Sequence, residues 1–368
     1  MSTERPQRPI EAIQCLRGVA ALMVVAHHLQ TQTARLGLAH VSADALQSGV
    51  DIFFVISGFI MWVTTAGRPE RTAGRFYRDR LVRVVPLYWA MTALVVAVML
   101  VAPAALSTSV LDGGHIVRSL LFMPAPHPVT GTYFPTLIPG WTLNLEMFFY
   151  LLFGGAMFVA GGRTRLRAAL MASALVMLVA IGVVVRPTGV LAFYTQGMLI
   201  EFAAGIAVGL AYVSGKVPRS KWWWGLAASG AVALATGLPH PFHVDRALAW
   251  GAPAAAIVGG LALGPPLSSR PLKRLGDWSY ALYLSHQITL AACHKAWLLL
   301  PAGVPAELFA PVAIGCAIGA AGLIFRFVEE PASQAIKAQL AAGVVAPGST
   351  VTSSVARRSA GPSHRSLK

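Results

Sequence analysis

The chain has 368 residues, of which 56% are hydrophobic and only 12% charged, with a mean hydropathy of +0.64. An ordinary soluble domain carries about twice that charged fraction, so the composition excludes a soluble enzyme and points to an all-α polytopic membrane protein. The formal net charge of +15 would suit a nucleic-acid partner, but the basic residues fall between apolar segments in a pattern that membrane topology explains, and no nucleic acid is expected.

Spanning a bilayer takes ~20 apolar residues, which divides the chain into about ten segments, roughly 11–30, 49–66, 84–103, 141–160, 168–186, 193–213, 222–238, 247–264, 279–299 and 308–328. Arg5 and Arg8 precede the first without a small-residue cleavage pattern, so it reads as an uncleaved anchor. That first segment also carries Arg17 and His28. Eleven residues at ~100° each make just over three turns, so both side chains fall on one stripe, ~16 Å apart along the axis. Ionisable groups at membrane depth are costly and usually face a bundle interior or wet cavity.

The basic residues orient the spans. One set of loops holds Arg5, Arg8, Arg68, Arg71, Arg75, Arg78, Arg80, Arg83, Arg163, Arg165, Arg167, Lys216, Arg219, Lys221, Arg270, Lys273 and Arg274. The opposite set holds or borders on Arg35, Arg118, Arg186, Arg246 and Lys295. Lysine and arginine accumulate on the cytoplasmic side, which makes both termini cytoplasmic. Trp222, Trp223 and Trp224 beside Lys221 read as an interfacial anchor. A proline-rich outer loop, about 104–140, either caps an outward-facing site or rests on the bilayer. The membrane domain is expected over 1–339. The Ala, Gly, Ser and Pro-rich stretch 340–368 is expected to be a disordered cytoplasmic tail. Cys15, Cys293 and Cys316 are scattered in apolar segments, so neither a disulfide framework nor a metal site is indicated.

With orientation assigned, polar residues sort by depth. His28, Asp51 and Glu146 gather in the outer half with His286 deeper, whereas Arg17, Arg80 and Arg83 gather at the inner mouth with Glu329 as a counter-charge. A histidine beside a carboxylate suits proton abstraction, and guanidinium groups suit a phosphorylated ligand. Bland roles compete: basic anchoring for Arg80 and Arg83, helix capping for Asp51, and helix–helix hydrogen bonding for Glu146 and His286.

Six stretches then carry a resemblance. They are Leu16-Arg-Gly-Val-Ala-Ala-Leu with His28; Gly49-Val-Asp-Ile-Phe-Phe-Val-Ile-Ser-Gly-Phe; and Phe76-Tyr-Arg-Asp-Arg-Leu-Val-Arg-Val-Val-Pro-Leu-Tyr-Trp. Further on come Trp141-Thr-Leu-Asn-Leu-Glu-Met-Phe-Phe-Tyr, Leu275-Gly-Asp-Trp-Ser-Tyr-Ala-Leu-Tyr-Leu-Ser-His and Phe327-Val-Glu-Glu-Pro. In this order they resemble the acyltransferase 3 family of integral-membrane O-acyltransferases, and within it the exopolysaccharide O-acetylases. The chain departs from the family in one place, carrying Glu146 followed by Met147 where two acidic residues often stand together.

The resemblance implies a bacterial inner-membrane enzyme, without an appended SGNH hydrolase-like domain, that transfers acetyl from cytoplasmic acetyl-CoA to a sugar hydroxyl of a lipid-linked or polymeric glycan. It implies that His28 is essential and that Arg17, Arg80 and Arg83 serve the donor. Combined with the residue chemistry, His28 is expected to be a general base oriented by Glu146 or Asp51. Asn144, Tyr283 or Ser285 would polarise the thioester carbonyl, and His286 would complete the catalytic group. A secondary transporter of a glycan or small anion is the alternative, because transporters also place ionisable residues at the midplane. The chain lacks the paired halves that such folds display.

Overall fold

The computed structural model describes residues 8–38, 43–68, 70–102, 110–236, 246–301 and 304–343, and among them the chain is helical, without strands. In order the helices are α1 (Arg8–Arg35), α2 (Gly49–Thr65), α3 (Ala73–Val101), α4 (Gly113–Leu120), α5 (Trp141–Ala160), α6 (Thr164–Val185) and α7 (Gly189–Tyr194). They continue with α8 (Leu199–Ser214), α9 (Trp222–Thr236), α10 (Ala252–Leu263), α11 (Arg270–Asp277), α12 (Ser279–Trp297), α13 (Phe309–Ile324) and α14 (Glu330–Gly343).

A helix occupies each of the ten segments expected to span, and among the described residues 7 helical stretches are both long and apolar enough to cross a membrane. The described part of α9 is 15 residues long and the apolar stretch Ala247–Leu263 is short, both lying next to residues outside the description, and α12 carries Ser279, Tyr280, Tyr283, Ser285, His286, Gln287, His294 and Lys295 along its length. The count of ten and the cytoplasmic side of the termini therefore stay expectations. The disordered tail expected from 340 lies, from 344 onwards, outside the described residues, and α14 runs through to Gly343.

α1 is the hub. It packs on α2, α10, α11, α12 and α13, and its buried face is built from small or β-branched residues such as Ala12, Ala20, Ala21, Val24 and Val25. Such residues let backbones approach closely where apolar lipid offers no hydrophobic drive to association. Gly18 sits against the backbone of Leu272 and Gly276, and Gly276 against the carbonyl of Gln14, so a Cβ at either position would collide with the neighbouring chain. The same device joins α2 to α8, where Gly58 faces the carbonyl of Phe202 and Gly205 that of Val55.

α3 starts earlier than the apolar run suggested. Thr72 caps it, accepting a hydrogen bond from Arg75 N at 3.3 Å, and one 29-residue helix carries both the basic segment and the span. Arg80 and Arg83 therefore sit on a rigid wall of the bundle rather than in a loop. The described part of the segment between α3 and α5 is docked onto the same helix. Tyr88 Oη donates to Ser119 O at 3.0 Å and Trp89 Nε1 to Leu120 O at 2.9 Å.

Candidate functional site

Two cavities lie end to end inside the bundle and share Val50 and Tyr283 as lining residues. The first, of about 230 Å³, holds the arginine end; the second, of about 520 Å³, holds the histidine end. The two are termed inner and outer here.

Both cavities are strung along the seam between α1 and α12. At the inner end Arg17 donates to Ser279 Oγ from Nη2 at 3.1 Å and Nε at 3.3 Å. At the outer end His28 Nδ1 lies 3.3 Å from His286 Nε2. Ser279 and His286 are two helical turns apart and share a face of α12, so the parallel helices match their stripes at both ends.

Arg17, Arg80, Arg83, Glu146, Tyr150 and Tyr280 line the inner cavity. Glu146 accepts from Ser57 Oγ at 2.7 Å and from Tyr150 Oη. Tyr280 Oη donates to Val84 O at 2.7 Å. Arg80 stands 5.9 Å over the Phe76 ring, and its buried Nε has no hydrogen-bond partner. Among the described residues none of the three guanidinium groups forms an ion pair within 4.0 Å. Glu329 is within electrostatic reach of Arg83 and Arg17. The result is a cationic chamber whose one lining carboxylate is already occupied by two hydroxyls.

The depth expected for Glu146 needs correcting. Thr142, in the first turn of α5, meets Tyr283 at the boundary between the cavities, its Oγ1 lying 2.9 Å from Tyr283 Oη. Four residues further along α5, ~6 Å down the axis, Glu146 falls on the inner side of that boundary, with the arginines rather than the histidines.

The outer cavity is lined by His27, His28, Gln47, Phe134, Trp141, Arg246, His286 and Gln287, among others. Its hydrogen bonds fix the histidine tautomers. His286, fully buried, places Nδ1 2.6 Å from the carbonyl of Tyr283, which can only accept, so Nδ1 carries the proton and Nε2 a lone pair. His28 Nδ1 lies 3.0 Å from the carbonyl of Val24 and 3.3 Å from that lone pair, so it too is the donor. His28 Nε2 is then the basic nitrogen.

The neighbour of His28 is thus a second histidine, not the carboxylate expected to orient it. Asp51, 0% exposed, is held by Arg246 through Nη2 at 2.8 Å and Nε at 3.2 Å. Arg246 also lies 4.4 Å from the Trp250 ring and donates to Gln47 O at 3.4 Å. Of the three residues expected to polarise a carbonyl, Tyr283 is the one that lines these two chambers, and it lines both. Ser285 Oγ donates back to Ala281 O at 2.8 Å within its own helix. Asn144 is buried with its amide unpartnered and lines neither chamber.

Sequence reasoning passed over Arg246, Tyr150, Ser57 and His27 as site residues. Arg246 carried a signal, being a basic residue on the side where such residues are scarce. Tyr150 stands four residues after Glu146, the spacing of neighbours on a helix face. Ser57 is the hydroxyl in an otherwise apolar run. The helical stripe from Arg17 singles out His28, and no local signal marks His27 as a further lining residue.

A family model described as Acyltransferase domain (Acyl_transf_3) matches residues 10–327. The exopolysaccharide production protein ExoZ of Rhizobium meliloti (strain 1021) is 37% identical over 290 residues, covering 77% of this chain and 88% of that protein. The acyltransferase MdmB of Streptomyces mycarofaciens is 28% identical over 365 residues, covering 86% of this chain and 89% of its own length. No solved structure matches the chain significantly.

Proposed function

The chain belongs to the acyltransferase 3 family of membrane O-acyltransferases, and from that premise we propose that it moves an acetyl group from cytoplasmic acetyl-CoA to a sugar hydroxyl of an exported or cell-surface polysaccharide. One observation carries the reading: a chamber with three guanidinium groups to one lining carboxylate meets an imidazole chamber at a single tyrosine. An anionic donor and a neutral polyhydroxylated acceptor need those two environments, side by side.

The donor fits the inner chamber in part. A space of about 230 Å³ admits the acyl-bearing arm of a thioester rather than a whole nucleotide. Arg17, Arg80 and Arg83 would hold the phosphates at its mouth, where the orphaned Arg80 Nε is a ready donor. Acetyl-CoA supplies an activated acyl carbonyl. His28 Nε2 takes the proton of the sugar hydroxyl as its oxygen attacks that carbonyl carbon, and returns the proton to the departing sulfur as the carbon–sulfur bond breaks. His286 acts through His28, accepting from Nδ1–H and stabilising the imidazolium. Thr142 donates to Pro139 O at 3.1 Å, so the Tyr283 hydroxyl points its hydrogen at Thr142 and can swing it to the carbonyl oxygen as negative charge develops. Asp51 and Arg246 brace the outer wall. Basic loops at the arginine end support a bacterial inner-membrane location with that mouth facing the cytoplasm.

The test is to give the purified chain in liposomes acetyl-CoA labelled in its acetyl group, together with exopolysaccharide or its lipid-linked repeat. Label on the glycan supports the reading. Intact glycan crossing the bilayer without label overturns it in favour of transport.

A further inference from the structure

A third cavity, of about 460 Å³, opens where the turn joining α2 to α3 meets the turn joining α5 to α6. It shares no lining residue with the other two. At its base is Arg167, in the first turn of α6 and only 5% exposed. The Arg167 guanidinium lies 4.6 Å from the Trp62 ring and 5.4 Å from the Phe153 ring. Its Nε has no hydrogen-bond partner, and no ion pair among the described residues includes it. Among the described residues no carboxylate lines the cavity; Glu70, in the same turn, is exposed, and Asp79, outside the lining, is engaged by Arg71 at 2.7 Å and Arg78 at 3.3 Å.

A buried guanidinium is costly unless paired, and stacking on aromatic faces compensates only part of that cost. Stacking also does something geometric: it restrains the plane of the fork. Arg68, exposed on the opposite lip, supplies a second positive charge. Gly67 and Gly161 have φ of 66° and 57°, and neither they nor Gly162 place any atom within 4 Å of where a Cβ would stand, so the lip stays clear.

We propose that this pocket binds a phosphate group through Arg167 and Arg68. Phosphate matches a planar bidentate fork backed by a second cation better than a neutral group does. The pocket lies at an end of the bundle, where anionic lipid headgroups are available. A soluble nucleotide phosphate has the same chemistry. The inference does not depend on the acyl-transfer reading, because the pocket is separate from both reaction chambers. Two rings connect its arginine to the inner chamber's: Phe153 and Phe76 lie 5.2 Å apart at a tilt of 37°, with Arg167 against the one and Arg80 over the other.

The full chain, purified and delipidated in detergent, is titrated with phosphatidylglycerol, diacylglycerol and adenosine 3′,5′-bisphosphate, and binding is read by native mass spectrometry. Arg167→Met keeps an unbranched apolar chain between the two rings. Arg68→Gln changes an exposed side chain and leaves folding untouched. Arg165→Gln, exposed on the same helix, matches the charge change outside the pocket. One equivalent of phosphatidylglycerol or bisphosphate should bind the wild type and Arg165→Gln alike. Binding should weaken at least about fivefold in Arg68→Gln and more in Arg167→Met. Capture of phosphatidylglycerol alone marks a lipid site; capture of bisphosphate alone marks a nucleotide site. The proposal is overturned if neither anion binds stoichiometrically, if diacylglycerol, which has no phosphate, binds as well as phosphatidylglycerol without bisphosphate binding, or if Arg165→Gln loses as much as Arg68→Gln.

Discussion

The inner and outer cavities sit back to back in one bundle, yet they treat charge in opposite ways. In the inner one, three guanidinium groups go without ion-pair partners while Glu146 is satisfied by hydroxyls. In the outer one, Arg246 is matched to Asp51, leaving a lining of imidazoles, amides and aromatic rings. Burying like charges is unfavourable; on the proposed function an anionic donor would relieve that cost in the inner chamber, and the charge-matched outer chamber would take the neutral acceptor. The hydroxyl pair Tyr283–Thr142 separates the two regimes and is the point where they communicate.

Removing the base should break this division most severely. His28→Ala should lower transfer by about 10³-fold, within the range of general-base catalysis, while the protein still accumulates in the membrane. Near-normal acetylation in that variant would falsify the assignment. The charge balance of the outer chamber is tested next by Asp51→Asn, which leaves Arg246, 28% exposed, without its buried partner. Loss of one member of such a pair costs roughly 3–5 kcal/mol, so the thermal midpoint should fall clearly and Asp51→Asn,Arg246→Gln should recover part of it. Equal midpoints in wild type and Asp51→Asn would mean that the pair contributes nothing.

His286→Ala should reduce kcat by about 10–100-fold, the scale on which a supporting partner acts, with little change in KM for either substrate. His286→Gln offers His28 a replacement acceptor and should regain activity. If glutamine is no better than alanine, His286 is only filling space. The smallest effect belongs to the inner chamber: Arg80→Gln should raise KM for acetyl-CoA about tenfold, the scale of one charge-assisted hydrogen bond, and leave the acceptor KM alone. A change confined to the acceptor KM would reverse the roles given to the two cavities.

Much of this was legible in the chain itself, because helical periodicity is local. The apolar segments, the single stripe holding Arg17 and His28, the basic asymmetry of the loops and the ordered stretches shared with the acyltransferase 3 family all follow from short-range spacing and composition. What stayed hidden was partnership. His286 lies 258 positions from His28, and Arg246 lies 195 positions from Asp51. Glu146 looked like a neighbour of His28 because both were assigned to the outer half, yet one helical turn carries it past Tyr283 to the arginines.

The sequence by itself thus determined that this protein is a helical membrane enzyme of the acyltransferase 3 family and which residues carry its charges. Only the tertiary structure decided which of those charges cancel, that a second histidine backs the first, and where one chamber stops and the next begins. The reason is physical. An i, i+4 or i, i+7 pattern states which side chains share a face, but which faces meet depends on close packing between helices, set here by pairs such as Gly58 with Phe202 and Gly276 with Gln14.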